Sequence, residues 1–347
     1  MSKRWDYDVP SVELWREVLR VLKPGGTLLS FAGSRTQHRM AVNIEDAGFH
    51  LKDTLLWLYG QGFPKGADIG KQLDKLAGAR REVLGCVKGA GAKDLTSFGN
   101  GHNSEYNATA PATDAAKQWD GWKSHALKPA YEPIIMAMKP NDGSYAANAL
   151  THGVAGLNID ACRVPSPGEN ITTHARSAES EQTAHPAFDF KAQETHQRAG
   201  QALGRYPANI LHDGSDEVLA GFPETKSGKL LRHHKMKASE NNCMSGPNQA
   251  RQPRQDSYGD EGSAARFFYC TKANKKNRGE GNNHPTVKPQ ALMRWLVRLV
   301  CPADGVVLDP FMGSGTTGVV CAAEGFAFMG FERDQAYFDI ARGRLVR

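Results

Sequence analysis

The chain has 347 residues, 40% of them hydrophobic and 23% charged, with a formal net charge of +6. That length bounds it to one large domain or two modest ones around a well-buried core, with the composition of a soluble globular protein. No apolar run approaches a bilayer's thickness and MSKRWDYDVP carries no apolar signal segment, which argues against a membrane span or secretory leader and for a cytoplasmic protein. The six cysteines (Cys86, Cys162, Cys243, Cys270, Cys301 and Cys321) form no C-x-x-C pair. Reduced thiols are therefore expected, with no metal site and no signature of a catalytic cysteine.

From the start of the chain, SVELWREVLRVL places Val12, Leu14, Trp15, Val18, Leu19 and Leu22 at helical spacing, with Ser11 as N-cap. Pro24-Gly25-Gly26 ends that helix, and TLLSFAG (Thr27 to Gly33) reads as a buried strand. A second helix is expected over Thr36 to Ala47, closed by Gly48, followed by a strand over Leu51 to Tyr59. This alternation predicts a parallel-sheet α/β domain.

Beyond Gly60 the pattern fades. Residues 85 to 125 are rich in Gly, Asn, Ser and Thr, and order returns at the apolar strand YEPIIMAMK (Tyr131 to Lys139). Residues 141 to 283 are again polar, and the stretches 165–204 and 225–262 lack the apolar content for a core. Short islands such as RYPANILHD and AARFFYC interrupt them. Between Lys226 and Arg278 basic residues recur: Lys229, Arg232, Lys235, Lys237, Arg251, Arg254, Arg266, Lys272, Lys275 and Lys276. That run fits a phosphate-backbone contact surface or a solvated lysine-rich loop, and charge alone does not separate the two.

Regularity resumes at His284. PQALMRWLVRLVC is an amphipathic helix with Leu292, Trp295, Leu296 and Leu299 on one face, GVVLDPF a buried strand, and TTGVVCAAEG a small-residue helix. AFMGFE follows as a second strand, and DQAYFDIARGRL as a closing helix starting near Asp334.

The first of these two strands runs into the next helix through VVLDPFMGSGTTG, with G-x-G-x-x-G at Gly313, Gly315 and Gly318. A P-loop would need a lysine where Thr316 and Thr317 stand. A nicotinamide-binding fold fits the glycine spacing, and Glu332 could bond a ribose. However, Asp309 would set negative charge against the pyrophosphate, and only fifteen residues follow Glu332. S-Adenosylmethionine has no phosphates, a ribose that suits an acid after the second strand, and a cationic centre that tolerates a carboxylate. The glycine spacing alone is a weak signal, whereas D-P-F-x-G-S-G-T-T is far more specific.

DPFMGSGTTG, with HPTVKP (His284 to Pro289) before it and FERD (Phe331 to Asp334) after it, resembles the amino-methylating DNA methyltransferases that modify adenine N6 or cytosine N4. RVLKPGGTLLSFAG and LKPAYEPIIMAMKP extend the likeness to the first half of the chain. Within the family it resembles the circularly permuted beta arrangement, with the catalytic half first and the cofactor half last. The fold class implied is α/β: a Rossmann-like, S-adenosylmethionine-dependent methyltransferase sheet, circularly permuted, with a large irregular target-recognition insertion. The organisation implied is catalytic-half elements over 1–60, the insertion over 61–283 interrupted by a core strand at 131–139, and the cofactor-binding half over 284–347.

By that resemblance Asp309, Phe311, Gly313 and Gly315 line the methionine and adenosine moieties, and Thr316 and Thr317 open the next helix. Glu332 takes the ribose hydroxyls, and Thr286, Lys288 and Pro289 close over the cofactor. Lys288 sits near a helix N-terminus, a poor place for a cation unless an anion such as the cofactor carboxylate is there. His284 is read as a structural cap. Double-stranded DNA is the implied substrate, adenine N6 favoured over cytosine N4, and the resemblance admits a homodimer and a partner restriction enzyme. In the insertion, Trp119, Trp122, Arg266, Phe267 and Phe268 are the side chains to consider for DNA, although such aromatics are more often core.

The family's chemistry also uses a [D/S]-P-P-[Y/F/W] turn, whose oxygens accept the amino hydrogens while its aromatic stacks on the flipped base. No such motif occurs in the 347 residues, so the catalytic residues are unassigned. Tyr7-Asp8-Val9-Pro10-Ser11 is the nearest stretch and lacks the double proline. In the family the turn shortly precedes a segment like WDYDVPSVELWREVLRVLKPGG. The expectation is therefore a chain truncated just past that turn, with a catalytically inactive remnant as the alternative reading.

Overall fold

The computed structural model describes residues 8–60, 62, 64–88, 105–165, 204–226, 261–271, 278–279 and 281–346. The chain divides into two compact units: Met1–Asn158, Asn209–Val218 and Cys270–Arg347 form the first, and Ile159–Ala208 with Leu219–Tyr269 the second.

In the first unit α1 (Val12–Val21) buries Trp15 and Val18, β1 (Thr27–Phe31) follows, and α2 (Gln37–Asp46) buries Met40 and Ile44. These side chains pack with Phe49, Ile135 and Ala137 into one apolar cluster. β2 (His50–Leu58) then leads into a small helical module. There α3 (Ile69–Leu76) is capped by Asp68, β3 (Val83–Lys88) pairs antiparallel with β4 (Glu105–Thr109), and α4 (Asp114–Gln118) is capped by Thr113.

The module is organised by a buried acid, not by apolar spacing. Asp74 is 1% exposed. Its carboxylate accepts from Arg81 at 2.5 Å, from the Ala112 and Thr113 amides at 3.1 and 2.9 Å, and from the Thr113 hydroxyl at 2.8 Å. Burial opposes the charge, but these donors outweigh it and hold the Asp74 carboxyl down at about 2.

β5 (Tyr131–Met138) is buried from Pro133 to Met138 and lies between β1 and β2, antiparallel to both. The expected all-parallel sheet is thus corrected to a mixed one. The module between β2 and β5 delivers the chain back at the end of the sheet where β2 finishes, so β5 must run the opposite way. α5 (Tyr145–His152) forms where the sequence reads as loop. Its buried Asn148 donates to the Pro24 and Val154 carbonyls at 2.9 and 2.6 Å and accepts from the Asp142 amide at 2.8 Å. β6 (Ile210–His212) adds parallel to β2, α6 (Asp216–Ala220) follows, and β9 (Tyr269–Cys270) is the outer strand, giving the order β1-β5-β2-β6-β9.

The second unit contains the antiparallel pair β7 (Glu224–Lys226) and β8 (Glu261–Ser263). Arg266 donates to the Thr225 hydroxyl at 2.9 Å and the Ser263 carbonyl at 2.8 Å. The guanidinium groups of Arg205 and Arg266 both lie over the Phe267 ring, at 4.4 and 4.3 Å, and Phe268 packs on Phe222 at 5.3 Å. Arg266, Phe267 and Phe268 therefore serve the internal packing of this unit.

The first unit closes with α7 (Gln290–Val300), β10 (Val306–Asp309), α8 (Thr316–Glu324), β11 (Ala327–Gly330) and α9 (Gln335–Leu345). The apolar face of α7 is buried at Leu292, Trp295, Leu296 and Leu299, as its spacing predicts. β10 and β11 form a separate parallel pair, Val306 opposite Ala327 through Asp309 opposite Gly330. Among the described residues no strand pairs with the edge of β1 away from β5, nor with the edge of β10 away from β11. Among the described residues no helix is long and apolar enough to cross a membrane, and no group of three or more His, Cys, Asp or Glu could hold a metal ion.

Candidate functional site

The strand β10 delivers Asp309 into the turn that starts α8. Its carboxylate accepts from the Thr317 hydroxyl at 2.6 Å and from the Phe311 amide at 3.0 Å. Burial pushes the Asp309 carboxyl up; the Thr317 and Phe311 bonds resist, and the charge of Glu332 raises it further. Glu332, just past β11, accepts from the Gly313 amide at 3.0 Å and from the Asp334 amide at 2.8 Å. Backbone bonds from Phe331 to Asp309 and from Met312 to Phe331, at 2.9 and 3.0 Å, fix the two turns side by side. Two carboxylates thus flank one glycine loop, each with lone pairs left for a ligand.

Glycine is required at Gly313 twice over. Its φ is +54°, and a Cβ there would stand 2.7 Å from Nε2 of His284. At Gly318 a Cβ would meet Phe328 and Leu345 at 2.6 and 2.7 Å, so the missing side chain lets α8 close on β11 and α9. Gly315 is the N-cap of α8, and Thr316 and Thr317 are buried in its first turn. Phe311 and Phe331 remain 53% and 55% exposed on either side of the loop, as apolar walls that a flat ligand could cover.

His284 covers the loop, its ring edge-to-face with Tyr337 at 4.4 Å and its amide donating to Asn282 at 3.0 Å. Asn282 in turn donates to the Ser314 hydroxyl at 3.0 Å. From α9, Arg344 donates to the Ser314 carbonyl at 2.5 Å, the Ser314 hydroxyl at 3.0 Å and the Thr316 hydroxyl at 3.2 Å. Thr286 is exposed, with its amide 3.3 Å from Nδ1 of His284, and Pro289 is the N-cap of α7.

Lys288 reaches back to the first half of the chain. Its ammonium donates to Glu132 of β5 at 2.5 Å and lies 4.8 Å from the ring centroid of Phe31, the last residue of β1. Trp15 of α1 meets Phe311 edge-on at 6.4 Å. Elements from both ends of the sequence therefore converge on the loop. Glu132, Asn282 and Arg344 carry no motif signature of their own, and sequence reading passes over them; Ser314 lies inside DPFMGSGTT but is given no role there. For Glu132 the only cue is its place in YEPIIMAMK.

Of the nearest stretch to a catalytic turn, Asp8 to Ser11 are described: Asp8 is exposed, with its carboxylate on the Val9 amide at 2.9 Å, and Pro10 accepts from Asn43 at 2.8 Å. Tyr7 lies outside the described residues. So do Cys243 and most of the basic run, namely Lys229, Arg232, Lys235, Lys237, Arg251, Arg254, Lys272, Lys275 and Lys276. Trp119 and Trp122 are exposed in the helical module.

The family model described as DNA methylase (N6_N4_Mtase) matches residues 3–343. The chain belongs to this DNA methylase family. Among curated relatives, the type II methyltransferase M.HindIII of Haemophilus influenzae is 24% identical over 96% of this chain and 68% of its own length. The type II methyltransferases M.ScaI of Streptomyces caespitosus and M.HinfI of Haemophilus influenzae are 40% and 42% identical, but over 23% and 22% of this chain. The chain spans only 26% and 21% of the length of those two relatives. A solved M1.HpyAVI–SAM complex is 16% identical with a TM-score of 0.37, covering 96% of this chain and 81% of that one. The family assignment rests on the model match along nearly the whole sequence.

Proposed function

We propose that this DNA methylase transfers a methyl group from S-adenosylmethionine to an exocyclic amino group in duplex DNA, adenine N6 in preference to cytosine N4. The observation that carries the reading is the pair Asp309 and Glu332 about one glycine loop. A pyrophosphate would add negative charge where Asp309 is already pushed up by burial and by Glu332. A ligand with positive charge and ribose hydroxyls relieves that repulsion and fits the free lone pairs, and the exposed rings of Phe311 and Phe331 suit an adenine. When bound, S-adenosylmethionine supplies the methyl group from its sulfonium centre. In this reading Glu332 orients the ribose, the Gly313–Thr317 backbone cradles the ligand, and Thr286, Lys288 and Pro289 form its cover. With Lys288 neutralised by Glu132, its role is to hold that cover in place more than to meet the ligand's carboxylate.

The reading includes the permuted order, catalytic half before cofactor half, with the residues between them forming the recognition region. It also includes a strand that pairs with the edges of β1 and β10 left without a partner among the described residues, and that ends in the [D/S]PPY turn. Support comes from those two edges and from the absence of adjacent prolines anywhere in the sequence. The same absence favours a second reading, in which this chain binds cofactor or DNA and transfers nothing. A partner restriction enzyme and a homodimer belong to the proposal as assemblies. Tritiated methyl transfer to unmethylated duplex DNA separates the two readings, comparing this chain with a form extended by the upstream coding sequence. Activity confined to the extended form supports the missing strand; equal activity in both removes it.

A further inference from the structure

The helical module leaves the five-stranded sheet after Leu58 of β2 and returns at Tyr131 of β5, and these two residues pair. The next residue, Glu132, holds Lys288, and Ile134 pairs with Phe31 at the end of β1. The module therefore rises from the end of the sheet that carries Phe31, Glu132 and Lys288.

Its loop after α4 is tightly held. Ile69 donates to the Trp122 carbonyl at 3.1 Å and Ser124 to the Ala67 carbonyl at 2.8 Å. The Ala67 amide returns a bond to the Ser124 hydroxyl at 2.8 Å, and Lys123 pairs with Asp68. On this fixed loop Trp119 and Trp122 stand edge-to-face at 5.1 Å while 41% and 61% exposed. The loop also leaves Leu127 in solvent. Indoles kept in water by a rigid backbone are poised for a partner, since they lose little conformational freedom on contact.

The surroundings favour nucleic acid over protein. Residues 61–130 hold ten basic and seven acidic side chains, half of the chain's net +6. Lys65, Lys117, Lys123 and Lys128 are exposed; of the nearby acids Asp114 is held by Lys117 at 2.9 Å and Asp68 by Lys123, and Asp120 is exposed between Trp119 and Trp122 in the sequence. Lysine is depleted at protein interfaces, whereas aromatic platforms edged by lysine are the usual surface for bases and phosphates.

We infer that the Trp119–Trp122 pair is a DNA-contacting platform on the site side of the sheet, stacking on locally opened bases or sugars while Lys65 and Lys128 meet phosphates. The inference rests on the DNA methylase reading and names a surface for its substrate.

Anisotropy titration of the full chain with a labelled, unmethylated duplex of mixed sequence tests it. W119A and W122A are each expected to bind about tenfold more weakly, while W119F and W122F keep most of the affinity. K128E should weaken binding and lower the salt slope by about one. S-Adenosylmethionine binding should not change in any of these variants, and thermal unfolding should not change in K128E, while W119A and W122A lose their mutual edge-on packing and unfold at a slightly lower temperature. Undiminished DNA binding by the alanine variants and K128E, beside a wild type that binds, overturns this inference alone. A wild type that binds S-adenosylmethionine but no duplex DNA overturns the DNA methylase reading and the platform with it. Should an alanine variant lose its fold, K128E decides the question.

Discussion

The Lys288 ammonium and the Glu132 carboxylate meet at 2.5 Å, joining the segment ahead of α7 to the second residue of β5. Both side chains are largely covered, 20% and 25% exposed, so the pair is screened less than a surface bridge. E132Q should destabilise the first unit by about 1–2 kcal/mol, between the values for exposed and fully buried pairs. K288M should cost a similar amount, and the double variant less than the two together. Urea unfolding of the four proteins in a double-mutant cycle checks this, and strict additivity would show that the pair carries no coupling.

Arg344 bonds three oxygens of the glycine loop from the closing helix. R344A should leave the Ser314 carbonyl and hydroxyl without their charged donor and loosen the loop, weakening S-adenosylmethionine binding by about 1–3 kcal/mol. R344K should restore only part of that, since an ammonium cannot match the fork of a guanidinium. Calorimetric titration of both variants measures it. An affinity unchanged in R344A would mean the loop holds its shape without the arginine.

Gly313 is left-handed at φ +54° and faces the His284 ring. G313A should cost about 1–2 kcal/mol in backbone strain alone. Displacement of His284 should add to this and weaken ligand binding. G313A/H284A should recover part of the loss if the clash is real, as read by thermal unfolding and ligand titration together.

Asp74 gives the helical module a definite pH dependence. Its carboxyl falls from 3.8 when free to about 2 in the fold, so its ionised form stabilises the folded state. That contribution is fully present above pH 3.8 and is lost as the pH falls through about 2. D74N should be less stable than the wild type at neutral pH, and the difference should shrink as the medium is acidified over that window. Chemical unfolding across pH would show the two curves converging; parallel curves would contradict the assignment.

Much of the frame is legible in the sequence, because α1, α2, α7 and the strands β2 and β5 bury apolar residues, whereas β1 and β10, expected as buried strands, have no fully buried apolar side chain. The glycine loop is legible because Asp309, Gly313, Gly315 and Glu332 are fixed in type by geometry and charge. The helical module and α5 are not, since Asp74 and Asn148 organise them through buried hydrogen bonds that leave no hydrophobic period. The direction of β5 is equally hidden: a buried apolar strand reads the same whichever way it runs. Glu132 and Arg344 escape for a further reason, because each gains its role from a partner far away in sequence.

In the proposed function, the loop between Asp309 and Glu332 binds a methyl donor and not a dinucleotide. Calorimetric titration of the chain with S-adenosylmethionine, with NAD in parallel and E332A as control, tests it most directly. One saturable site for S-adenosylmethionine is expected, weakened by about 1–3 kcal/mol in E332A, with no binding of NAD. Binding of NAD with none of S-adenosylmethionine would contradict it.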